Sequence, residues 1–254
     1  MSGGRKGTVR ADNDFSGIWT FAEVAERKLA GTWPALYSTT ALARSPSGLY
    51  LFEETSGTQL TDTSGNANHG TYQNGALPSS PGLTFETTLS LEAVSGQFAQ
   101  VPGVVAEATS GFSIAVWLQF SHSLNRPFLE RNANTGYSMQ TRGAADAGKI
   151  GLTTGGGTPQ EWLRSSIAIN DDLPHCAVYV FGGTPTSSYL YIDGVDRSTR
   201  PQTSGTPNYG STTAWDVGQR PGGNAFAGRL DGLAFFPSLL TQADALALYQ
   251  ARKF

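Results

Sequence analysis

Cysteine is nearly absent from the sequence, in which Cys176 is the only one among 254 residues. A single thiol cannot form an intrachain disulfide or supply a cysteine-rich zinc site. The fold must therefore rest on the packing of its core, with or without a hard cation held by oxygen ligands. We expect the Cys176 side chain itself to behave as a small buried apolar group.

Charged residues are also scarce. Asp, Glu, Lys and Arg make up 15% of the chain, the net charge is −3, and basic residues cluster only in "GRKGTVR" near the start. A protein that binds a nucleic-acid backbone needs a basic patch to neutralise phosphates. The sequence therefore predicts no nucleic-acid partner.

Long apolar runs are missing as well. No stretch approaches the roughly 20 apolar residues that a membrane-spanning helix requires. The first residues, "MSGGRKGTVRADNDF", lack the apolar region of a secretory signal peptide. We therefore expect a chain without a membrane span, made in the cytoplasm without a cleaved secretion signal.

What the sequence does contain is material for strands and turns. Gly occurs 31 times, and Thr, Ser, Val, Tyr and Phe recur in short runs. From Gly48 onward, about a dozen strand candidates are separated by turn residues, which is typical of a two-sheet antiparallel sandwich. The predicted fold class is all-β. The candidates are "GLYLFEE", "GLTFE", "QFAQVP", "FSIAVWLQF", "RPFLERN", "GYSMQTR", "KIGLTT", "EWLRS", "HCAVYVF", "SYLYIDG", "AWDVG" and "GRLDGLAFFP".

The run "FSIAVWLQF" is the clearest strand candidate. One alternating set of its residues, from Phe112 to Phe120, is entirely apolar, while Trp117 lies on the opposite face. This pattern predicts a strand in the middle of the sandwich. In "SYLYIDGVDRS", Asp193 and Gly194 form the two-residue turn typical of a hairpin.

Two short helices are predicted at the ends of the chain. Residues 1–14 form a Gly-rich arm, and Thr20 caps a helix over residues 21–30 that ends before Gly31. Its apolar face packs either on the same chain or on another subunit, and Trp33 flanks it. In "LTQADALALYQARKF", Thr241 and Asp244 occupy capping positions and predict a terminal helix.

Four segments occur in an order that resembles the laminin-G-like, concanavalin A-like jelly roll family. They are "GLYLFEETSGTQLTDTSGNANHGTYQNG", "FSIAVWLQF", "HCAVYVFGGTPTSSYLYIDGVDRS" and "VGQRPGGNAFAGRLDGLAFFPSLLTQADALALYQ". The resemblance covers residues 45–254. It implies a jelly roll of two antiparallel sheets, carbohydrate or protein ligands, and often a structural calcium ion.

The segment "SGIWTFAEVAERKLAGTWP" is similar to a segment of tailed-phage virion proteins such as tail fibres and surface proteins. The similarity implies that residues 1–44 attach the chain to other virion proteins and that residues 45–254 form the jelly roll. The proposed attachment residues are Trp19, Phe21, Val24 and Trp33. By analogy we expect a virion-surface location and a homo-oligomer, of which a trimer is the favoured form.

The loop "LTDTSGNANHGTYQNG", residues 60–75, carries side-chain oxygens at every second position from Asp62 to Asn68. A hard cation takes six to eight oxygen ligands, which a flexible loop can supply. In the resembled family, the aspartate of a later "G-x-x-D-G" element shares a calcium ion with such a loop. The resemblance thus implies a structural calcium ion at Asp62, Asn66, Asn68 and Asp231, although Gly232 stands where the family commonly has an acidic residue.

The same loop has a second explanation. Asp62 and Asn66 can hydrogen-bond the backbone of their own loop in Asx turns, a common use of these residue types. From the sequence alone, the calcium site and the turn both remain open.

No catalytic pattern is evident. Jelly rolls of the resembled superfamily that hydrolyse β-glucans carry alternating carboxylates on one strand, because retaining hydrolysis needs two carboxylates about 5 Å apart. The sequence has no "E-x-D-x-x-E" pattern, Glu53 and Glu54 are adjacent, and Glu130 and Glu161 stand alone. We therefore expect no enzymatic activity. The three histidines, His69, His122 and His175, are scattered, and His175 is expected to be structural.

Sugar binding requires aromatic faces and hydrogen-bonding side chains in exposed positions. The candidates in expected exposed loops are Trp162, Tyr209 and Asn224, each of which can alternatively fill a gap at an end of the sandwich. The function predicted is a phage virion structural protein, of the capsid-decoration or tail-fibre type, that adheres to a host surface glycan. The alternative is a carbohydrate-binding module or a polysaccharide-degrading enzyme.

Overall fold

The computed structural model describes residues 37–81, 87–91, 96–103, 111–131, 136–155, 159–202, 214–219 and 225–251. All of them belong to one unit of the chain, Ala35–Phe254. The predicted boundary at residue 44 stays a prediction. Outside the described part lie the helix predicted at residues 21–30 and the proposed attachment residues, Trp19, Phe21, Val24 and Trp33.

Two short α-helices occur in the described part, α1 (Tyr37–Leu42) and α2 (Gln242–Gln250). The α2 helix begins as predicted. The Asp244 N–H donates to the Thr241 hydroxyl, and the Thr241 N–H donates to the Asp244 carboxylate at 2.9 Å. Neither helix has the length and apolar character needed to cross a membrane.

The strands of the described residues are antiparallel throughout and form two sheets, which confirms the predicted all-β jelly roll sandwich. They are β1 (Gly48–Tyr50), β2 (Gln59–Leu60), β3 (Gly70–Gln73), β4 (Pro78–Pro81), β5 (Thr87–Leu91), β6 (Phe98–Val101), β7 (Phe112–Gln119), β8 (Arg126–Arg131), β9 (Tyr137–Thr141), β10 (Ile150–Gly155), β11 (Pro159–Ser165), β12 (His175–Phe181), β13 (Tyr189–Ile192), β14 (Val195–Asp196), β15 (Ser198–Thr199), β16 (Trp215–Val217) and β17 (Gly228–Phe236).

The eight-stranded sheet has the order β14-β13-β12-β7-β17-β5-β4, and β1 also pairs with β17. The nine-stranded sheet has the order β15-β11-β10-β9-β8-β16-β6-β3-β2. Strand β7, the run "FSIAVWLQF", lies between β12 and β17 as the central strand that its pattern predicted.

The main core fills the space between the sheets. Inward residues of β7, among them Ile114 and Leu118, meet inward residues of the nine-stranded sheet, among them Trp215 and Tyr137. The Tyr137 ring stacks on the Trp215 ring with centroids 6.0 Å apart. Alternation along each strand therefore directs one side of each sheet into this core.

A second apolar cluster covers the other side of the eight-stranded sheet. Trp117 and Cys176 point away from the main core and pack with Tyr37 and Ala41 of α1 and with Leu248 of α2. The Cys176 side chain is fully buried, as predicted. Both helices thus cover the outer face of this sheet.

Strand β17 contains a bulge that fits α1. Its register with β7 shifts between Asp231 and Ala234, and Gly232 has a φ of +55° that disfavours other residues. A Cβ at Gly232 would lie 2.7 Å from the Tyr37 ring, whose hydroxyl donates to the Gly232 carbonyl. The acidic residue that the family commonly has after this aspartate would not fit at position 232, because its side chain would displace Tyr37.

Candidate functional site

The loop that follows β2 is organised by the Asp62 carboxylate. Its Oδ1 accepts hydrogen bonds from the N–H groups of Leu49 and Ser64, each at 2.9 Å. Its Oδ2 accepts from the Ser64 hydroxyl at 2.8 Å and from the Asn68 N–H at 2.9 Å. Burial opposes ionisation of Asp62, but these four donors outweigh it and lower its pKa.

The two asparagines of this loop tie it to the segment before β1. The Asn68 side-chain amide donates to the Ser47 carbonyl at 2.8 Å, and the Asn66 amide donates to the Pro46 carbonyl at 3.0 Å. Each therefore directs its N–H group at backbone oxygen. The Asx turn that the sequence left open is thus present at Asp62, which accepts the Ser64 N–H, whereas Asn66 bonds the segment before β1.

These residues do not fit the calcium site that the resemblance implies. Both Asp62 oxygens already accept two hydrogen bonds. Asp231, in contrast, is fully buried on β17, opposite Trp117 of β7 and close enough to Tyr37 to add to the increase in its pKa that burial causes. Among the described residues, no three His, Cys, Asp or Glu side chains are grouped so that they could hold a metal ion. The proposed calcium ion stays a prediction that the loop geometry does not favour.

An open pocket of about 620 Å³ lies beside the loop. Hydroxyl and amide side chains form much of its wall, and α1 contributes one side. The lining residues are Leu42, Ser45, Pro46, Ser47, Ser64, Asn66, Asn68 and Pro237.

The structure corrects the expectation that Trp162 lies in an exposed loop. Trp162 is in β11, 1% exposed, and packs in the main core. Trp162 and its neighbour Leu163 both lie in the core, because the register between β10 and β11 shifts at this point, so the Trp162 ring has no face for a sugar in this structure. The other two sugar-binding candidates, Tyr209 and Asn224, lie outside the described residues.

A row of polar side chains crosses the outer face of the nine-stranded sheet from β3 to β11. Each member pairs in register with the next across the neighbouring strand. Residues before and after the members, such as Trp215 and Val217 around Asp216, belong to the core, so the members face away from it. We call this set the polar row: Thr71, Gln100, Asp216, Glu130, Ser138, Thr153 and Glu161.

Two carboxylates lie opposite each other in the middle of the polar row. Asp216 on β16 pairs with Glu130 on β8, and directly opposed residues have Cβ atoms about 5 Å apart. Their residues are 5% and 1% exposed. Burial raises the pKa of Asp216, against the opposing effect of the Gln100 amide, which donates to it at 2.8 Å. The sequence suggested that Glu130 stands alone, but in the structure it lies opposite Asp216.

The β11 end of the polar row is charged and internally paired. Arg142 and Arg164 both form ion pairs with Glu161, and Arg164 also pairs with Asp146. Lys149 lies 3.1 Å from the Asp146 carboxylate. Each charged group of this end thus has a partner of opposite sign.

The β3 end is uncharged. Thr71 is exposed and Gln100 is partly accessible, and Phe98 lies two residues before Gln100 on the same face of β6. Gln73 is directly opposite Phe98 across the β3–β6 pair. This end combines an aromatic ring with amide and hydroxyl groups.

A third arrangement of titratable groups lies at the start of β12. His175 Nδ1 is 2.7 Å from Asp193 and Nε2 is 3.1 Å from Asp171. Burial would lower the pKa of His175, but both carboxylates outweigh it and raise the pKa. Asp193 also accepts the Cys176 N–H and forms the predicted Asp193–Gly194 turn of the β13–β14 hairpin. Asp193 thus holds the hairpin in place, and its contact with His175 supports the structural role expected for this histidine.

Comparison with protein families identifies one match. A family model described as the concanavalin A-like lectin/glucanases superfamily matches residues 94–245, more than half of the chain. A search of curated proteins finds no match.

Several solved structures share the fold. Domain 4 of an extracellular GH43 arabinanase from Geobacillus stearothermophilus, in complex with arabinotriose, has a TM-score of 0.58 and 17% identity over 81% of this chain and 98% of that one. The botulinum neurotoxin serotype D binding domain has a TM-score of 0.59 and 13% identity over 82% of this chain and 52% of that one. The binding domain of botulinum neurotoxin DC in complex with SialylT has a TM-score of 0.58 and 14% identity over 84% and 53%. This chain therefore spans about half the length of the toxin domains, and at these identities the likeness concerns the fold alone.

Proposed function

This chain belongs to the concanavalin A-like lectin/glucanases superfamily, and from that premise we propose that it is a carbohydrate-binding protein without catalytic activity. The observation that carries the proposal is the polar row across the outer face of the nine-stranded sheet, of which Thr71, Gln100, Thr153 and Glu161 are accessible. Sugars are bound through their hydroxyl groups by amide, hydroxyl and carboxylate side chains of this kind. Support by analogy comes from the arabinanase domain in complex with arabinotriose.

The burial of the two opposed carboxylates supports binding rather than hydrolysis. A hydrolase must bring its acid and its nucleophile into contact with the scissile bond. Glu130 and Asp216 are almost fully buried, so a polysaccharide would meet the ends of the row before it met them. Their role in this proposal is to order the middle of the row.

The test of binding is a glycan array probed with the full chain and two charge variants. Gln100→Arg places a long cation in the row, while Gln250→Arg places the same group on an exposed position of α2. We expect the wild type and Gln250→Arg to bind the same glycans and Gln100→Arg to lose at least tenfold in affinity. Absence of any bound glycan for the wild type would contradict the proposal.

A polysaccharide hydrolase is the second candidate, because Glu130 and Asp216 are directly opposed across β8 and β16. Incubation with β-glucans, arabinans and algal polysaccharides tests it. Release of reducing sugars that is abolished by both Glu130→Gln and Asp216→Asn would establish this candidate and remove the non-catalytic proposal.

We also propose that the protein is a tailed-phage virion component, of the capsid-decoration or tail-fibre type, and that its sandwich recognises a host surface glycan. The support is the similarity of "SGIWTFAEVAERKLAGTWP" to a segment of phage virion proteins. The particle partners would bind through the N-terminal segment, and the chain would lie at the virion surface. A homo-oligomer, with a trimer favoured by analogy, is part of this proposal and is measured by native mass.

Deletion of residues 1–34 tests attachment. The deletion ends before Tyr37 and Ala41, because both are buried against the eight-stranded sheet and their loss would unfold the sandwich. The proposal predicts that the shortened protein keeps its melting temperature and no longer copurifies with virions. Undiminished incorporation would contradict it.

A further inference from the structure

The β3 end of the polar row has the composition of a sugar subsite. Ala99 and Val101 of β6 are buried in the core, so Phe98 and Gln100 point outward, and both are partly accessible. Successive outward residues of a strand are about 7 Å apart, close to the width of one sugar ring. A ring and an amide at this spacing can contact one monosaccharide unit together.

Several residues with amide side chains lie on the chain segments next to Phe98. Gln73 is opposite Phe98 in register, and Asn74 and Gln97 link the two chain segments by donating to the Gly96 and Gly75 carbonyls at 3.1 and 3.2 Å. Gln219 also reaches this corner, since its Oε1 would lie 3.7 Å from a Cβ placed at Gly96. An amide both donates and accepts, so it can pair with a hydroxyl group in either direction.

The charge of this corner selects among sugars. The sequence has no Lys or Arg between Arg44 and Arg126, the stretch that supplies β2, β3 and β6, and none within β16, where the next basic residue is Arg220. The nearest charged member of the row is Asp216, which accepts from Gln100. A carboxylate or sulfate on a ligand would therefore meet an anion and no cation among these strands, and repulsion would weaken its binding.

We infer that Phe98, Gln73 and Gln100 form a subsite for neutral sugar residues, in which the Phe98 ring stacks on the apolar face of the sugar and the amides bind its hydroxyl groups. This inference rests on the proposed carbohydrate-binding function and adds the ligand class and the part of the row that selects it. The charged β11 end, whose groups pair with one another, has a supporting role only.

Affinity electrophoresis of the full chain tests the subsite, with gels that contain neutral polymers (arabinan, galactan and β-glucan) or acidic polymers (polygalacturonate and alginate). The variants are Phe98→Ala and Phe98→Leu, of which the second keeps most of the volume but removes the aromatic face. Tyr189→Ala is the matched control, because Tyr189 is an exposed ring on β13 of the other sheet.

We expect retardation by at least one neutral polymer and none by the acidic polymers. Both Phe98 variants should weaken retardation at least tenfold in apparent dissociation constant, Gln100→Ala severalfold, and Tyr189→Ala less than twofold. Preference for an acidic polymer would overturn the ligand class, and full binding by Phe98→Leu would overturn the subsite. Failure of the wild type to bind any polymer or any arrayed glycan would instead remove the proposed function itself.

Discussion

The two sheets of the sandwich share one core but differ on their outer faces. The eight-stranded sheet has Trp117, Cys176 and other apolar residues on its outer face, and α1 and α2 cover them. The nine-stranded sheet has the polar row in the equivalent position. In both sheets, the alternation of apolar residues decides which side of a strand enters the core. The residues on the opposite side decide whether that outer face is covered by helices, when they are apolar, or is open to a ligand, when they are polar.

The largest difference between the two faces should be in stability. Trp117→Ala removes a fully buried ring that stacks on Tyr249 with centroids 5.9 Å apart. We expect a loss of about 3–5 kcal/mol in the free energy of unfolding, measured by urea denaturation. Gln140→Ala, on the outer face of β9, is the control and should cost under about 0.5 kcal/mol. Similar losses for both variants would contradict the proposed difference.

Removal of the buried charge in the polar row should raise stability. Burial raises the pKa of Asp216, so the folded state disfavours the ionised form, and this cost is present at pH above that pKa. Asp216→Asn should therefore raise the melting temperature at pH 7 by a few degrees. The gain should shrink as the pH falls towards 4.

The control for this substitution should change the melting temperature in the opposite direction. The pKa of Asp146 is lowered, chiefly by its hydrogen bond from Lys149, so ionised Asp146 stabilises the fold. Asp146→Asn should lower the melting temperature at pH 7. A decrease for Asp216→Asn as well would mean that its charge is favourable where it stands.

The His175 arrangement predicts a smaller, pH-dependent effect in the eight-stranded sheet. Its pKa is raised in the folded state, so its contribution to stability is fully present below its ordinary pKa of about 6.5 and is lost as the pH rises through the raised value. His175→Gln should lower the melting temperature by more at pH 5.5 than at pH 8.5. His122→Gln is the control, because burial lowers the pKa of His122 and the trend should reverse.

The smallest expected effect concerns calcium. If Asp62, Asn66 and Asn68 only hold their loop together and tie it to the segment around β1, chelator and added calcium should leave the melting temperature unchanged to within about 1 °C, because no ligand stabilises the native state. A rise of several degrees with calcium would restore the calcium site that the family resemblance implies.

Features set by short-range patterns were predictable from the sequence. The Thr241 cap needs only residues three positions away, the Asp193–Gly194 turn needs two, and the central position of β7 follows from its alternation. Helix α1 was missed because its sequence, "YSTTAL", has little helical signal of its own. Its ordering comes from Tyr37 and Ala41, which pack on residues far away in the chain.

The candidate site was harder to predict because it depends on long-range register. Glu130 and Asp216 look unrelated in the sequence, and only the pairing of β8 with β16 brings them together. Phe98 was not distinguished from core residues, because a phenylalanine in a strand segment such as "QFAQVP" is usually a core residue, whereas here its ring is only half-buried. Alternation could have indicated its face, because Ala99 and Val101 alternate with Phe98 and Gln100.

The contact between Tyr37 and the bulge at Gly232 also has a mechanical meaning. The Tyr37 hydroxyl donates to the Gly232 carbonyl of β17, which lies inside the eight-stranded sheet between β7 and β5. A pulling force applied to Tyr37 would therefore act on an interior strand and not on a sheet edge. Strands at an edge can peel away one hydrogen bond at a time, whereas an interior strand yields only when pairs on both of its sides break together.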